Sequence, residues 1–138
     1  MKILFDVNVI LDVLLDRDKW GEDSAKLLDA AERREIEGYI AAHTMTTAYY
    51  IVAKATVSRT ARMAVADLLR ILDVVPLDSA DFTHALALGM SDFEDAVQVA
   101  AAARIGADYL ATRNEKDFRK SPVSARSPAE LLAMIGAS

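Results

Sequence analysis

One stretch of the chain, residues 91–118 (SDFEDAVQVAAAARIGADYLATRNEKDF), constrains the possible fold more than any other. Its pattern predicts a helix, a turn of about three residues, a buried strand and a polar loop. A helix joined to a strand by so short a turn runs antiparallel to it, so the start of the helix lies near the end of the strand. Acids stand at both places: Asp92, Glu94 and Asp95 before the helix, and Asp117 after the strand. We therefore expect the two acidic ends to meet.

Strands and helices alternate along the rest of the chain. Apolar runs predict strands at 2–5, 39–42, 73–77, 109–111 and 123–125. Helical spacing predicts helices at 7–15, 24–36, 43–56, 58–72, 78–88 and 130–135, in addition to the helix predicted within residues 91–118. This order predicts a single domain over 1–138 of the α/β class, a three-layer α/β/α fold with a central, mostly parallel sheet of four to five strands. Gly38 is predicted to cap the second helix in a left-handed conformation, and Asp12 and Asp16 are predicted to be solvated.

Composition narrows the chemistry. The formal net charge of -5 argues against a general binder of phosphate backbones. With no cysteine and two histidines, a bound metal would be held by oxygen ligands. Residues 113–126 depart from the acidic trend with five basic and two acidic residues, which suits either a solvated loop or a phosphate-binding rim. The N-terminal apolar run is broken by acids, and no run approaches membrane-spanning length, so we expect a cytoplasmic protein without membrane contact.

Acids from both ends of the chain should converge at one edge of the sheet. In an open parallel sheet, ligands bind outside the carboxyl ends of the strands. Asp6 follows the first predicted strand, Asp117 follows the fourth, and Asp95 begins the helix that leads into the fourth. If the first and fourth strands are neighbours, these carboxylates share one small volume. At 4 Å each pair repels by about 4 kcal/mol at an effective dielectric constant of 20, which Mg²⁺ or Mn²⁺ would relieve.

Each acid also has a structural explanation when it is taken alone. The sequence SDFE from Ser91 to Glu94 fits a capping box, in which Asp92 and Glu94 would only stabilise the start of a helix. Asp6 could cap the helix after it, and Asp117 could cap the short turn 114–118. The convergence of three acids favours a site over three separate caps.

At these motifs the chain resembles PIN-domain ribonucleases, which include the toxins of VapBC-type toxin–antitoxin pairs. The resemblance is carried by FDVNVILDVLL near the start, by DFEDA with the apolar helix and strand after it, and by TRN-x-x-DF. It implies a Mg²⁺- or Mn²⁺-dependent endoribonuclease that acts on RNA, forms a homodimer and is inhibited by a small antitoxin protein. It places the catalytic and metal-binding acids at Asp6, Asp95 and Asp117. The further residues it suggests are Asp92 as a metal ligand, Asn8, Thr46, Thr47, Thr112 and Asn114 as supporting residues, and Arg113 and Lys116 as substrate-binding residues.

The chain departs from that family at one place. Members commonly carry a glutamate early in the helix after the second strand, whereas the stretch HTMTTAYY from His43 to Tyr50 contains no acid. Thr46 or Thr47 takes the corresponding position, and a hydroxyl supplies no charge there. The alternative function is therefore a PIN-like RNA- or protein-binding module with a weakened catalytic site. A receiver domain is disfavoured because the acids cluster around the fourth strand. A haloacid-dehalogenase-type phosphatase is disfavoured because it needs D-x-D after the first strand, where this chain has Asp6-Val7-Asn8.

Overall fold

The computed structural model describes residues 1–17 and 19–137. Five strands lie in these residues: β1 (Lys2–Phe5), β2 (Glu37–Ala41), β3 (Asp73–Val75), β4 (Tyr109–Ala111) and β5 (Ser124–Arg126). The α-helices of the same residues are α1 (Val7–Leu14), α2 (Gly21–Glu32), α3 (Ala42–Ala55), α4 (Ser58–Ile71), α5 (Ser79–Ala87), α6 (Phe93–Arg104) and α7 (Pro128–Ala137). A 3₁₀ turn covers Glu115–Phe118. None of the helices described in these residues is both long and apolar enough to cross a membrane.

The five strands form one sheet in the order β3-β2-β1-β4-β5, and every neighbouring pair is parallel. β1 therefore lies at the centre, with β2 on one side and β4 on the other. Phe5 pairs with Ala111, so β1 and β4 end side by side. The predicted three-layer α/β/α fold is confirmed, as is the adjacency on which the convergence of the acids depends.

Side chains alternate between the two faces of the central strand, as the period of a strand requires. Ile3 and Phe5 point into one apolar cluster, which also takes residues from α1, α2, α3, α4 and α7. Leu4 points to the opposite face, where it packs with residues of α6 such as Val99. All four of these side chains are fully buried. Because β1 is covered on both faces, it reads in the sequence as an unbroken apolar run.

The prediction for Gly38 is wrong. Gly38 lies inside β2, and a Cβ atom there would stand 2.6 Å from Leu72 Cδ2 and 2.8 Å from Ala31 Cβ. The glycine allows two helices to approach the strand closely, and the left-handed residue is Arg34, with φ of 62°. The second helix accordingly ends at Glu32 and begins at Gly21, earlier at both ends than its apolar spacing predicts.

Asp12 is also not solvated as predicted. Its side chain is fully buried on α1, where Oδ1 lies 3.3 Å from Arg17 Nη1 and Oδ2 lies 3.3 Å from Arg113 Nε. Ser24 Oγ donates a hydrogen bond to Oδ2 at 3.4 Å. A buried carboxylate requires such partners, because transfer of a lone charge out of water is strongly unfavourable. Asp16 is exposed, in agreement with the prediction.

Candidate active site

Asp6 forms the floor of the site at the carboxyl end of β1. Its backbone N–H donates to the carbonyl oxygen of Ala111 at 2.9 Å, which fixes it beside the end of β4. Its side chain is 2% exposed and accepts hydrogen bonds from Thr112 Oγ1 at 2.9 Å and from Gln98 Nε2 at 3.0 Å. Burial raises the pKa of Asp6, and the two donors oppose that rise by stabilising the ionised form. Asp6 precedes α1 without a side-chain capping bond, so its carboxylate serves the cluster and not the helix.

Gln98 joins the two predicted acids that come from opposite ends of the chain. Its amide nitrogen donates to Asp6 at 3.0 Å and to Asp95 Oδ1 at 3.3 Å. Its amide oxygen accepts from Thr44 Oγ1 at 3.3 Å, and both Gln98 and Thr44 are fully buried. The sequence prediction missed Gln98. The signal was present, since Gln98 is a polar residue in an apolar helix three positions after Asp95, on the same helical face.

Asp95 lies among several other carboxylates at the start of α6. It lies in the first turn of α6 and is half-buried. Its pKa is raised from an ordinary value of 3.8 to about 7, first by burial and then by the negative charges of Asp6, Asp92, Asp117 and Glu94, in that order of effect. A carboxyl in this position holds a proton near neutral pH unless positive charge is brought to it.

Asp92 both caps a helix and contributes to the acidic cluster. It is the N-cap of α6, and its Oδ1 accepts a hydrogen bond from the backbone N–H of Asp95 at 2.9 Å. The cap therefore begins one residue later than the predicted capping box, which would have used Ser91. Because the charge of Asp92 raises the pKa of Asp95, capping does not remove this carboxylate from the cluster.

Glu94 reaches from α6 to the start of α3. Thr47 Oγ1 lies 3.4 Å from Glu94 Oε2 in a hydrogen bond, and His43 Nε2 lies 3.0 Å from the backbone oxygen of Glu94. Thr46 instead donates to the carbonyl oxygen of His43 within its own helix, at 2.8 Å. A carboxylate from α6 thus lies beside the first turns of α3, a stretch that has no acid of its own. The expectation that Glu94 only stabilises the start of a helix does not account for this contact.

The residues after β4 form the wall of the site opposite α6. Thr112 is fully buried, and its Oγ1 also accepts the backbone N–H of Asn114 at 3.1 Å, which holds the turn after the strand. The backbone N–H of Asp117 donates to the carbonyl oxygen of Asn114 at 3.0 Å. The side chain of Asp117 is exposed on the 3₁₀ turn, and its charge raises the pKa of Asp95. Asn8 lies in the first turn of α1 and is partly exposed.

The two predicted substrate-binding residues lie on different sides of the cluster. Lys116 lines an open cleft of about 280 Å³ whose walls also include Asp117 and two further cations, Arg119 and Lys120. Arg113 instead lies against Asp12 and over the ring of Trp20, with 5.2 Å between the guanidinium carbon and the ring centroid.

The donor chemistry of the cluster fits a hard divalent cation, although its present geometry does not form a finished metal site. Within residues 1–17 and 19–137, no group of three or more His, Cys, Asp or Glu side chains is arranged to hold an ion. The amide nitrogen of Gln98 takes the position between Asp6 and Asp95. The donors are nonetheless carboxylate oxygens, which Mg²⁺ and Mn²⁺ prefer, and after burial it is neighbouring negative charge that raises the pKa of Asp95.

Comparison with known proteins assigns the family. Residues 2–116 match the family described as a PIN domain. The chain belongs to the PIN domain family. The matched residues include Asp6, Asp95 and Thr112, whereas Asp117 lies one position beyond the match. A search of curated protein sequences finds no match to this PIN domain.

Solved structures share the fold of this PIN domain at low sequence identity. VapBC2 from Rickettsia felis, bound to a DNA fragment from its promoter, superimposes with a TM-score of 0.73 at 15% identity, over 92% of this chain and 98% of the other. A toxin–antitoxin complex from Klebsiella pneumoniae gives 0.69 at 22% identity, over 91% and 97% of the two chains. VapC20 from Mycobacterium tuberculosis, a toxin that cleaves the sarcin–ricin loop, gives 0.65 at 14% identity, over 78% and 86%.

Proposed function

We propose that this PIN domain is a divalent-metal-dependent endoribonuclease and the toxin of a toxin–antitoxin pair. One observation carries the proposal: acids from both ends of the chain meet, since Gln98 Nε2 bonds Asp6 at 3.0 Å and Asp95 at 3.3 Å, and burial together with the neighbouring carboxylates raises the pKa of Asp95 to about 7. Such crowding is unfavourable for stability and is typical of sites whose chemistry uses it. Membership of the family supports the proposed metal dependence, since PIN domains generally depend on divalent metals.

The roles of the acids follow from where each lies. Asp6, Asp95 and Asp117 would hold the cation, with Asp92 beside them. When bound, the cation supplies the water activation and charge neutralisation that hydrolysis of a phosphodiester requires. Thr112 and Gln98 hold the carboxylate of Asp6 in one orientation through hydrogen bonds of 2.9 and 3.0 Å.

Glu94 is proposed as a further acid of the site. It is exposed, and its carboxylate is held toward α3 by Thr47 at 3.4 Å. Its charge raises the pKa of both Asp6 and Asp95, so it lies close enough to act on each. In this arrangement the absent glutamate of α3 is replaced by a carboxylate from the neighbouring helix, and the charge of the site is kept.

The cleft beside Asp117 is suited to the phosphates of the substrate. Lys116, Arg119 and Lys120 line it, and the ammonium group of Lys120 is anchored 2.8 Å from the carbonyl oxygen of Gly89. These cations give a local positive rim in a chain with a net charge of -5. An RNA strand could therefore bind by local charge alone, and we propose that its phosphates pass through this cleft toward the acids.

A cleavage assay tests the nuclease proposal. Purified protein is incubated with single-stranded RNA in Mg²⁺, in Mn²⁺ or in EDTA, and fragments are resolved by electrophoresis. We expect cleavage in both metals and none in EDTA. Asp95→Asn should abolish cleavage, whereas Asp16→Asn, which makes the same change at an exposed acid, should leave the rate unchanged. Full activity of Asp95→Asn at saturating metal would contradict the assignment.

The alternative is a PIN domain that binds RNA or protein without cutting. Two observations favour it: the described acids do not form a finished metal site, and Gln98 Nε2 stands between Asp6 and Asp95. Calorimetric titration with Mn²⁺ separates the two functions. Binding that is lost in Asp95→Asn supports the nuclease, whereas no binding at millimolar Mn²⁺ supports the inert module.

The toxin role has a separate test. Several structural neighbours are toxin–antitoxin complexes, so we propose a small antitoxin protein as a partner of this chain, which would itself act in the cytoplasm as a homodimer. Expression of the chain alone in a bacterial host should arrest growth. Co-expression of a small protein encoded beside it should relieve the arrest, and light scattering of the purified chain should give twice the monomer mass.

A further inference from the structure

A second pocket lies on the other side of Arg113 from the acids. It has a volume of about 240 Å³ and is bounded by the start of α2, the start of α7 and the residue after Thr112. Its apolar walls include Trp20, which is 38% exposed, and Pro128. Pockets for whole drug-sized ligands generally start near 300 Å³, so this one is sized for a flat fragment.

The pocket brings two cations to an aromatic ring, and two acids, Asp12 and Asp23, also line it. Lys19 Nζ lies 4.7 Å and Arg113 Cζ 5.2 Å from the centroid of the Trp20 ring. Arg113 is held in place by the buried carboxylate of Asp12, which is 3.3 Å from its Nε. This ion pair keeps the guanidinium of Arg113 beside the indole. A tryptophan ring with adjoining cations is the combination that single-stranded nucleic acids use, because a base stacks on the ring while its phosphate meets the charge.

The pocket lies on the same edge of the sheet as the acids. Arg113 follows β4, and Ser127 to Ala129, which line the pocket, follow β5. Asp6 follows β1, and the three strands are consecutive in the sheet. Neighbouring strands are about 4.8 Å apart, so the pocket stands roughly 5–10 Å along the edge from Asp6. Thr112 makes the connection, since it bonds Asp6 and directly precedes Arg113.

We propose that the pocket formed by Trp20, Arg113 and Lys19 binds one base of a single-stranded RNA whose backbone crosses the acidic cluster. The base takes the place of Lys19 Nζ over the indole of Trp20 and stacks on that ring, with the guanidinium of Arg113 beside it. Lys19 is exposed, and its flexible stem allows the ammonium to meet the phosphate of the same nucleotide. The inference rests on the proposed function only in taking RNA as the ligand.

Trp20 itself reports on the pocket, because it is the single tryptophan of the chain. Asp95→Asn protein in EDTA, which would leave RNA uncut, is titrated with short oligouridylate and oligoadenylate while the intrinsic fluorescence is recorded. Stacking should quench that fluorescence in a saturable way. Affinity is then measured by the anisotropy of labelled RNA for variants made in the same background. We expect Trp20→Ala to weaken binding about 5- to 100-fold, and Trp20→Phe, which keeps a ring, to weaken it less.

Tyr50→Ala is the matched control, since it removes an aromatic ring that is 68% exposed on α3. It should leave RNA affinity unchanged. Unchanged affinity in Trp20→Ala, or an equal loss in Tyr50→Ala, overturns the proposal, as does saturated RNA binding without quenching. Should Trp20→Ala fail to fold, Trp20→Phe and the quenching still decide the question. If the wild type cleaves RNA but the fluorescence is not quenched, only the proposed base pocket is refuted. If the fluorescence is quenched but RNA is not cleaved, only the proposed nuclease activity is refuted.

Discussion

The substitution Asp95→Asn should stabilise the protein above neutral pH in the absence of metal. The folded state raises the pKa of Asp95 from 3.8 to about 7. Between these two values the folded protein holds a proton that the unfolded chain has released. Stability from this group is therefore fully present below pH 4 and is lost as the pH rises through 7. Asparagine has no proton to lose at this position, so the variant escapes that loss.

The size of the effect follows from the same pKa. At 1.36 kcal/mol per pH unit, the rise from 3.8 to about 7 corresponds to about 4 kcal/mol for a fully buried group. Asp95 is only half-buried, so solvent screening reduces the expected gain to about 1–2 kcal/mol. We therefore expect Asp95→Asn and the wild type to be about equally stable near pH 4, and the variant to be more stable by that amount at pH 8.

Urea denaturation at several pH values in EDTA measures the difference, with the single tryptophan as the signal. Asp16→Asn serves as the control, because it replaces an exposed acid and should change the free energy of unfolding by no more than about 0.5 kcal/mol at any pH. Addition of Mn²⁺ at pH 8 should then raise the midpoint of the wild type and leave that of Asp95→Asn in place, since binding to the folded state alone stabilises it. A variant that is less stable than the wild type at pH 8, with a parallel pH profile, would refute the reasoning.

Three further substitutions test contacts around the site, each by its urea midpoint. Gln98→Met keeps the volume but leaves Asp6 with one donor fewer, and should reduce the free energy of unfolding by about 1–3 kcal/mol. Gly38→Ala places a Cβ 2.8 Å from that of Ala31, and should lower the free energy of unfolding by about 1–3 kcal/mol through overpacking. At a capping glycine the cost would come instead from a positive φ. Asp12→Asn removes one charge from a buried ionic network, and should lower the free energy of unfolding by about 3–5 kcal/mol.

Much of the fold could be predicted from the sequence, because its strands are short apolar runs between helices with clear periodicity. The order of strands in the sheet could not be predicted, since it depends on which apolar runs pair, but the approach of Asp6 to the end of β4 required only that β1 and β4 be neighbours. Gly38 was misread because a glycine after a helix has two uses. A glycine can supply a positive φ, or it can let neighbouring side chains approach the backbone closely. Only the positions of Leu72 and Ala31 show that Gly38 has the second use.

The residues that the sequence prediction missed or misjudged, Gln98 and Asp12, are both fully buried polar residues. Gln98 stands out as a polar residue in an apolar helix, but the sequence does not identify Asp6, which is 92 positions away, as its partner. Asp12 was judged by its place on the outer face of an isolated helix, but its partner Arg113 comes from the loop after β4. Both errors have one cause, because a polar residue becomes buried through partners that only the tertiary fold supplies.

The site divides into an inner part and a rim that respond differently to a cation. Asp6, Gln98 and Thr112 are buried and joined by hydrogen bonds, so their positions are set before any ligand arrives. Asp117 and Glu94 are exposed, so they can move toward a cation at little cost in packing. Asp95 is half-buried, and in the proposed nuclease it would exchange its proton for the cation near pH 7. Cation affinity should therefore rise with pH through that range in the wild type, and this rise should be absent in Asp95→Asn.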